Sequence, residues 1–165
     1  MTNDIFEIRK ACPNDIPKVL EMIRKRVEWM EQAGYKEWNS TNYLSIHNYD
    51  YFFKTVEREE LYIAVHNGIT AGAFVLLQED DRWPDNKEPA YYIHNFVSDL
   101  NFPGTGDRIL SYCEQRCKEE KKQKLRLDCT ITSEKLNAYY EKRGFQKKGY
   151  IEIGLYKGYK REKTI

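Results

Sequence analysis

The stretch Ser98–Arg116, "SDLNFPGTGDRILSYCEQR", sets two glycines around a threonine at the point where an apolar run gives way to a helical pattern. The first amides of a helix have no intrahelical partner and lie at the positive end of its dipole, and glycine lets a bulky anion approach the backbone closely. Gly104, Thr105, Gly106 and Asp107 each offer an N–H there, whereas Pro103 offers none. Phosphate or pyrophosphate is the natural ligand of such a turn. A tight turn that only precedes a helix is the alternative these residues leave open. Neither GxGxxG nor GxxxxGK[ST] is present, and the turn follows the fourth expected strand, not the first, which sets the dinucleotide and P-loop readings aside. Asp107 counts against an anion. Two exposed unit charges about 6 Å apart repel by only ~0.7 kcal/mol in water, however, against ~1.5 to 3 kcal/mol for each charge-assisted amide bond.

Working outward from that turn, the preceding "AYYIHNFVS" (Ala90–Ser98) is apolar along most of its length and reads as a central strand. After it, Ile109, Leu110, Cys113 and Cys117 form the apolar stripe of a helix, "KLRLDCT" reads as a strand, and "SEKLNAYYEKR" as a short helix with Ser133 as its N-cap. Gly144 ends that helix, with Lys142 and Arg143 at its negative end. Upstream, "DIFEIRKA" is a first strand. Ile16, Val19, Leu20, Ile23, Val27 and Met30 then recur at helical spacing, with Pro17 in the first turn and Gly34 as the stop. "LYIAVHNGITAGAFVLLQ" reads as two antiparallel strands around His66-Asn67-Gly68, because Asn-Gly favours the positive backbone dihedrals of a tight hairpin. "RWPDNKEP" is a loop, and the tail "FQKKGYIEIGLYKGY" holds two further strand-like pieces. The order β-α-(α)-β-β-β-α-β-α-β-β predicts an α/β (α+β) sandwich on a mixed, largely antiparallel sheet.

The chain's 165 residues, 41% of them hydrophobic, suffice for one compact domain with a core of its own and argue against disorder. A formal net charge of +1 gives no long-range pull toward nucleic acid or acidic membranes, and the dense run "KEEKKQK" mixes both signs, as a solvated helix end does. No apolar stretch approaches membrane-spanning length, and "MTNDIFEIRK" lacks the basic and apolar regions of a secretion signal. A soluble, cytoplasmic protein without nucleic-acid or membrane partners is the expectation. Cys12, Cys113, Cys117 and Cys129 show no CxxC spacing and no histidine placed to complete a zinc site, so reduced packing cysteines and no metal are expected.

A second segment, "LNAYYEKRGF" (Leu136–Phe145), carries more information. With it the chain resembles the GNAT superfamily of acyl-CoA-dependent N-acetyltransferases. That family's diagnostic segments are a strand, Gly-rich turn and helix, followed by a strand and a helix reading roughly N-x-x-A/x-x-Y-x-x-x-G-F. Asn137, Tyr140, Gly144 and Phe145 match the second segment. In the first, Gly104 and Gly106 match the small positions, while Asn101 stands where the family usually has Arg or Gln. The likeness runs in outline from Phe6 to about Tyr156 and implies a single acetyltransferase domain over residues 1–165, with a sheet whose central strands splay apart.

The resemblance implies a chemistry and a set of roles. Acetyl-CoA (coenzyme A) is the implied cofactor, and a direct attack by a primary amine in a ternary complex is the implied reaction. The pantetheine arm would pair like an added strand with the main chain around Phe96, Val97 and Ser98, and the pyrophosphate would lie along Asn101, Phe102, Gly104, Thr105, Gly106 and Asp107. A backbone N–H near Phe96 or Val97 would receive the developing oxyanion. Tyr140 stands at the family's general-acid position, where a phenol of pKa ~10 meets a departing thiolate of pKa ~8.5; plain packing over the sheet is its other reading. Asn137, one helical turn earlier, would hold the cofactor arm. His94 alternates with Tyr92 and Phe96 along the strand and is the residue placed to act as base, against the reading of a hydrogen-bonded core histidine. Trp29, Tyr35 and Trp38 would wall the acceptor site, with Glu28, Glu31 or Glu37 on hand for a cationic amine, against ordinary packing. A small-molecule amine is thus the expected partner, and a homodimer an open expectation, since dimers are common in the family. The alternative is a non-catalytic GNAT-like module that holds acyl-CoA without turnover. A generic phosphate-binding α/β domain is a third reading, and it would prefer nucleotides to CoA.

Overall fold

Over residues 3–165, which the computed structural model describes, the chain forms β1 (Phe6–Lys10), α1 (Ile16–Ala33), α2 (Tyr43–Ile46), α3 (Tyr49–Glu57), β2 (Leu61–His66), β3 (Ile69–Leu77), β4 (Ala90–Ser98), α4 (Thr105–Glu119), β5 (Lys124–Thr130), α5 (Glu134–Lys142), β6 (Gln146–Ile153) and β7 (Tyr156–Thr164). The strands make one seven-stranded sheet in the order β1-β2-β3-β4-β5-β7-β6. Every neighbouring pair is antiparallel except β4 with β5, which is parallel. This is the mixed, largely antiparallel sheet expected from the element order, with β4 at its middle.

Local chemistry sets the ends of the elements. Asn67 and Gly68, at φ 49° and 81°, close the β2–β3 hairpin as the Asn-Gly pair predicts. Asn67 does a second job, because its Oδ1 accepts from the Ile5 amide at 2.9 Å and tethers the entry to β1. Ser133 caps α5 by accepting from the Leu136 amide at 3.2 Å. At the other end Gly144 takes φ 93°, a value that strains any residue with a Cβ. Its amide donates to Glu141 and the Phe145 amide to Tyr140, each at 3.0 Å. The Phe145 ring packs on Tyr140 at 5.6 Å between centroids, so the Gly-Phe pair is a helix stop with its own apolar lock.

The sheet buries both faces. On one, α4 and α5 cover Tyr62, Phe74, Tyr91, Ile93, Leu125 and Leu127, with Cys113, Cys117 and Cys129 buried among them. On the other, α1 and α3 cover Leu61, Ile63, Val75 and Val97 through Ile16, Val19, Ile23 and Phe52. Cys12 departs from the packing expectation and is exposed. Among the described residues no cysteine is paired and no group of His, Cys, Asp and Glu has the geometry to hold a metal ion. No helix there is long and apolar enough to cross a membrane.

Helix α4 lies close on β3 because Gly72 has no side chain. A Cβ there would come within 2.9 Å of both Ile109 Cδ1 and Thr105 Cγ2, and 3.1 Å from the Val97 carbonyl oxygen. The two side chains can shift, but the carbonyl belongs to the sheet. Gly72→Ala is therefore expected to destabilise the protein by about 1–3 kcal/mol, the usual cost of overpacking, as read from a urea midpoint at unchanged slope.

Two irregularities in β4 create the space in which a site can form. Pairing with β5 covers only Ala90–Tyr92 against Lys124–Arg126, so the strands diverge beyond Tyr92 as the splayed-strand expectation requires. Pairing with β3 also slips: Ala73 faces Val97, but Val75 faces His94, which leaves one extra residue on β4. That bulge is carried by Asn95 at φ 50°. Parity along the strand flips there. Tyr91, Ile93 and Phe96 pack on the α4 side, while His94 lies opposite Val75 and Val97 packs on the α1 side. The expected alternation of His94 with Phe96 is thereby corrected: the extra residue turns the two side chains to opposite faces of the sheet.

Candidate active site

A cavity of about 860 Å³ occupies the opening between the diverging strands. Its sides are β4 from Ile93 to Ser98 and β5 from Leu127 to Thr130, with Tyr140 reaching in from α5 and Gly106 from α4. Trp29, Tyr35 and Trp38 wall it on the α1–α2 side, and Leu155 and Tyr156 close it from the β6–β7 turn. Of the residues singled out in the sequence, the structure thus brings His94, Phe96, Val97, Ser98, Gly106, Tyr140 and the three aromatic residues to one cavity.

The main chain of β4 is exposed to this cavity in alternation. The Asp99 amide donates to Ala71 at 2.8 Å, so Asp99 and, two residues before it, Val97 direct their polar groups at β3. Those of Ser98 and Phe96 point the other way, into the gap. Val97 is corrected accordingly: only its side chain borders the cavity, and its amide serves the β3–β4 ladder. Ser98 departs in part. Its carbonyl and hydroxyl already accept from the Arg26 guanidinium, at 2.8 and 3.2 Å.

The turn before α4 has the shape of an anion cradle, with fewer donors than the sequence offered. Gly104 caps the helix at φ 87° with nothing within 4 Å of where a Cβ would stand. A Cβ on Gly106 would meet only Phe96 Cζ, at 3.7 Å. Among the described residues no packing requires a glycine at 106, and its Cα side is left open toward the cavity. Thr105 is corrected: its side chain is buried with Oγ1 donating to the Phe102 carbonyl at 2.8 Å, and its amide turns back toward the same oxygen at 3.4 Å. The donors left are Gly104, Gly106 and Asp107. Phe102 packs its ring against His66 at 5.5 Å, and Asn101 is an exposed turn residue whose amide donates to Asp99. The Asp107 carboxylate does not cap the helix. It accepts from the Tyr139 hydroxyl at 2.5 Å and lies 3.6 Å from Arg143, which draws its charge sideways off the amides. These features fit a diphosphate at the mouth of the cavity and an extended arm along Phe96–Ser98.

Tyr140 is 6% exposed, and its hydroxyl has no hydrogen-bond partner among the described residues although the side chain lines the cavity. The rings of Tyr139 and Phe145 hold it edge-on, at 5.3 and 5.6 Å. Burial, aided by the nearby Cys129 and Tyr139, drives its pKa far above that of a free phenol, so it stays protonated. Asn137 needs the opposite correction. Its Oδ1 accepts from Arg161 Nε and Nη2 at 3.1 and 2.9 Å and from Cys129 Sγ at 3.1 Å, while Nδ2 donates to the Thr130 and Ser133 carbonyls at 2.9 and 2.8 Å. Its hydrogen-bonding capacity is filled inside the protein, which leaves nothing for a cofactor arm.

Sequence reasoning missed the polar floor of the cavity. His94 Nε2 lies 2.6 Å from Asp80 Oδ2, and the two side chains are only 14% and 8% exposed. Burial by itself raises the Asp80 carboxyl, but the hydrogen bonds from His94 and the Arg82 amide outweigh it and hold it below the usual range. Arg82 in turn binds Asp128 at 2.7 Å, and Tyr156 donates to the same carboxylate at 2.6 Å. Asn95, the bulged residue, accepts from Tyr51 at 2.7 Å and donates to the Tyr43 hydroxyl at 2.6 Å, which ties α2 and α3 to the strand. Burial lowers the His47 ring nearby to about 4 and keeps it neutral. None of these pairings has a local signature; each joins residues that only the folded sheet brings together.

The sequence model of a family described as "Acetyltransferase (GNAT) family" matches residues 21–145. Over 158 residues the chain is 23% identical to a Bacillus subtilis (strain 168) protein described as an uncharacterized N-acetyltransferase, YesJ, covering 88% of this chain and 86% of the relative. A GNAT-family acetyltransferase of Listeria monocytogenes superposes with a TM-score of 0.78 at 25% identity, over 99% of this chain and 100% of that one. The PaiA N-acetyltransferase of Thermoplasma acidophilum, solved in complex with coenzyme A, shares the fold at a TM-score of 0.76 and 16% identity, over 98% and 99% of the two chains.

Proposed function

Because the chain belongs to the GNAT family of acetyltransferases and is an acetyl-CoA-dependent N-acetyltransferase, we propose that it acts as a single domain to acetylate the primary amine of a small molecule. The observation that carries the choice of acceptor is the cavity: it is roofed by the α1–α2 segment and the β6–β7 turn, and aromatic side chains line its acceptor side. Acetyl-CoA supplies the acetyl thioester. The chain's own residues do the rest. Gly104, Gly106 and Asp107 hold the diphosphate with their amides, and Phe96 and the free amide of Ser98 align the pantetheine arm. The Phe96 amide would receive the oxygen that gains negative charge during transfer. His94, held by Asp80, takes the proton of the incoming amine. Tyr140 gives its proton to the departing sulfur. Amine and thioester meet directly in the ternary complex, so no covalent enzyme species forms. A reading as a non-catalytic acyl-CoA carrier has less support, since the chain matches the acetyltransferase family model over residues 21–145 and keeps a protonated phenol in the cavity.

The test is a panel of small primary amines offered with acetyl-CoA, reading free thiol against an enzyme-only hydrolysis control. Acetylation of one amine class supports the proposal; tight CoA binding with no amine-dependent thiol release overturns it in favour of the carrier. The cradle is tested separately by Gly106→Ala. A methyl fits beside Phe96 and lowers the entropy of the unfolded chain, so stability is expected to hold or rise by up to about 1 kcal/mol. CoA affinity is expected to fall tenfold or more, about 1.4 kcal/mol, by titration calorimetry, because the methyl stands where the anion must approach.

A further inference from the structure

We infer that the acceptor carries a second cationic group besides the amine that reacts, and that Glu37 is the side chain that receives it. The inference rests on the acceptor being a small-molecule amine, as proposed above. Three glutamates near the acceptor wall were open as cation partners, and the structure separates them. Glu28 is exposed and pairs with Arg24 at 2.7 Å. Glu31, also exposed, accepts from Asn39 at 2.6 Å. Glu37 alone of the three lines the cavity. The cavity's other carboxylate, Asp128, is already bound by Arg82 and Tyr156. Glu37 has no ion-pair partner among the described residues, although it is half-buried.

An enclosed carboxylate without a counter-ion is costly, and folding has fixed this one in place. Asn39 Oδ1 accepts from the Glu37 amide at 2.9 Å and its Nδ2 donates to the Tyr35 carbonyl at 2.8 Å, while Ser40 donates to the Glu37 carbonyl at 3.0 Å. Three cations stand among the lining residues, and of these Arg82 is bound to Asp128. Arg26 is engaged with Ser98 and lies over the Trp29 ring at 5.3 Å, and Lys135 is exposed on the first turn of α5. Burial raises the Glu37 carboxyl, with the Ser133 hydroxyl and Arg26 pulling the other way. The surrounding surface suits an alkylammonium. Trp29 stacks with Tyr35 at 5.3 Å and Trp38 with Tyr43 at 4.3 Å, so aromatic faces flank a path for methylene groups and a cation. The class is an aliphatic diamine or polyamine, with one nitrogen at Glu37 and another presented to His94.

The experiment compares 1,4-diaminobutane with n-butylamine, using wild type and Glu37→Gln, whose melting temperatures are checked to match. The expected result is a wild-type kcat/KM at least tenfold higher for the diamine, lost in Glu37→Gln through a raised KM with kcat and the butylamine rate unchanged. Equal kcat/KM for the two amines in the wild type, or an equal loss of kcat for both in the variant, overturns the inference; the second outcome makes Glu37 part of the proton path or the scaffold. Quenching of tryptophan fluorescence by the diamine in the presence of CoA gives a readout that needs no turnover. Tighter binding to wild type than to Glu37→Gln without acetylation upholds the subsite and sinks the catalytic proposal, whereas equal binding to both sinks the subsite.

Discussion

Tyr140→Phe is expected to lower kcat by about 10²–10³-fold while CoA binds as before, the loss typical of removing a positioned general acid. The expectation follows from three features of one side chain. Its hydroxyl bonds to nothing among the described residues, so deleting it breaks no hydrogen bond there. Its ring is held by Tyr139 and Phe145, and phenylalanine keeps both contacts. Burial keeps the phenol protonated throughout the neutral range, so the proton is present when the sulfur departs. A stability change below about 1 kcal/mol, an unchanged CoA dissociation constant by calorimetry and a collapsed turnover by thiol release would together assign the hydroxyl to the chemistry. Turnover at the wild-type rate rules out the acid role and leaves Tyr140 as packing.

The contrast between Tyr140 and Asn137 shows which parts of this protein are written locally. Helix stripes, the Asn67-Gly68 hairpin, the Gly34 stop and the Gly144-Phe145 lock were legible because each depends on residues within a few positions of one another. The splay of β4 from β5 and the gathering of Phe96, Ser98, Gly106 and Tyr140 followed from resemblance, and the cavity contains all four. What stayed hidden depends on partners across the sheet. The bulge at Asn95 exists only as a mismatch of β4 with β3, so an alternation counted along β4 alone put His94 on the wrong side relative to Phe96. Asp80 reaches His94 from the loop that joins β3 to β4, and Trp83 in that same loop is buried against Tyr92 although its segment reads as a loop. Asp107 counted against an anion from its position; Tyr139 and Arg143, from the other motif, claim its carboxylate. Position in a motif marks where a side chain stands and is silent on what its polar atoms already hold.

That distinction makes Asn137→Ala the sharper test of the site's scaffold. Arg161 is 1% exposed and sends two of its guanidinium nitrogens to Asn137 Oδ1. Its remaining partners are the Glu141 carboxylate at 3.1 Å, itself largely exposed, and the Phe145 carbonyl at 3.4 Å. Removing the Asn137 amide leaves a buried cation short of acceptors and frees the Thr130 and Ser133 carbonyls at the junction of β5 and α5. Hydrogen bonds to charged groups contribute ~1.5–3 kcal/mol each, and stranding a buried charge costs about 3–5 kcal/mol, so a loss of about 3 kcal/mol is expected after some relaxation toward Glu141. For a chain of this length that lowers the melting temperature by about 6–12 °C. A residue that only held the cofactor would behave otherwise, with CoA affinity falling at an unchanged melting temperature. Arg161→Met in the Asn137→Ala background separates the two again: with the buried charge removed, much of the lost stability should return, since a buried polar pair replaced by apolar groups of similar size is often neutral. No recovery would mean that Asn137 acts on the backbone of β5 and α5 and not through Arg161.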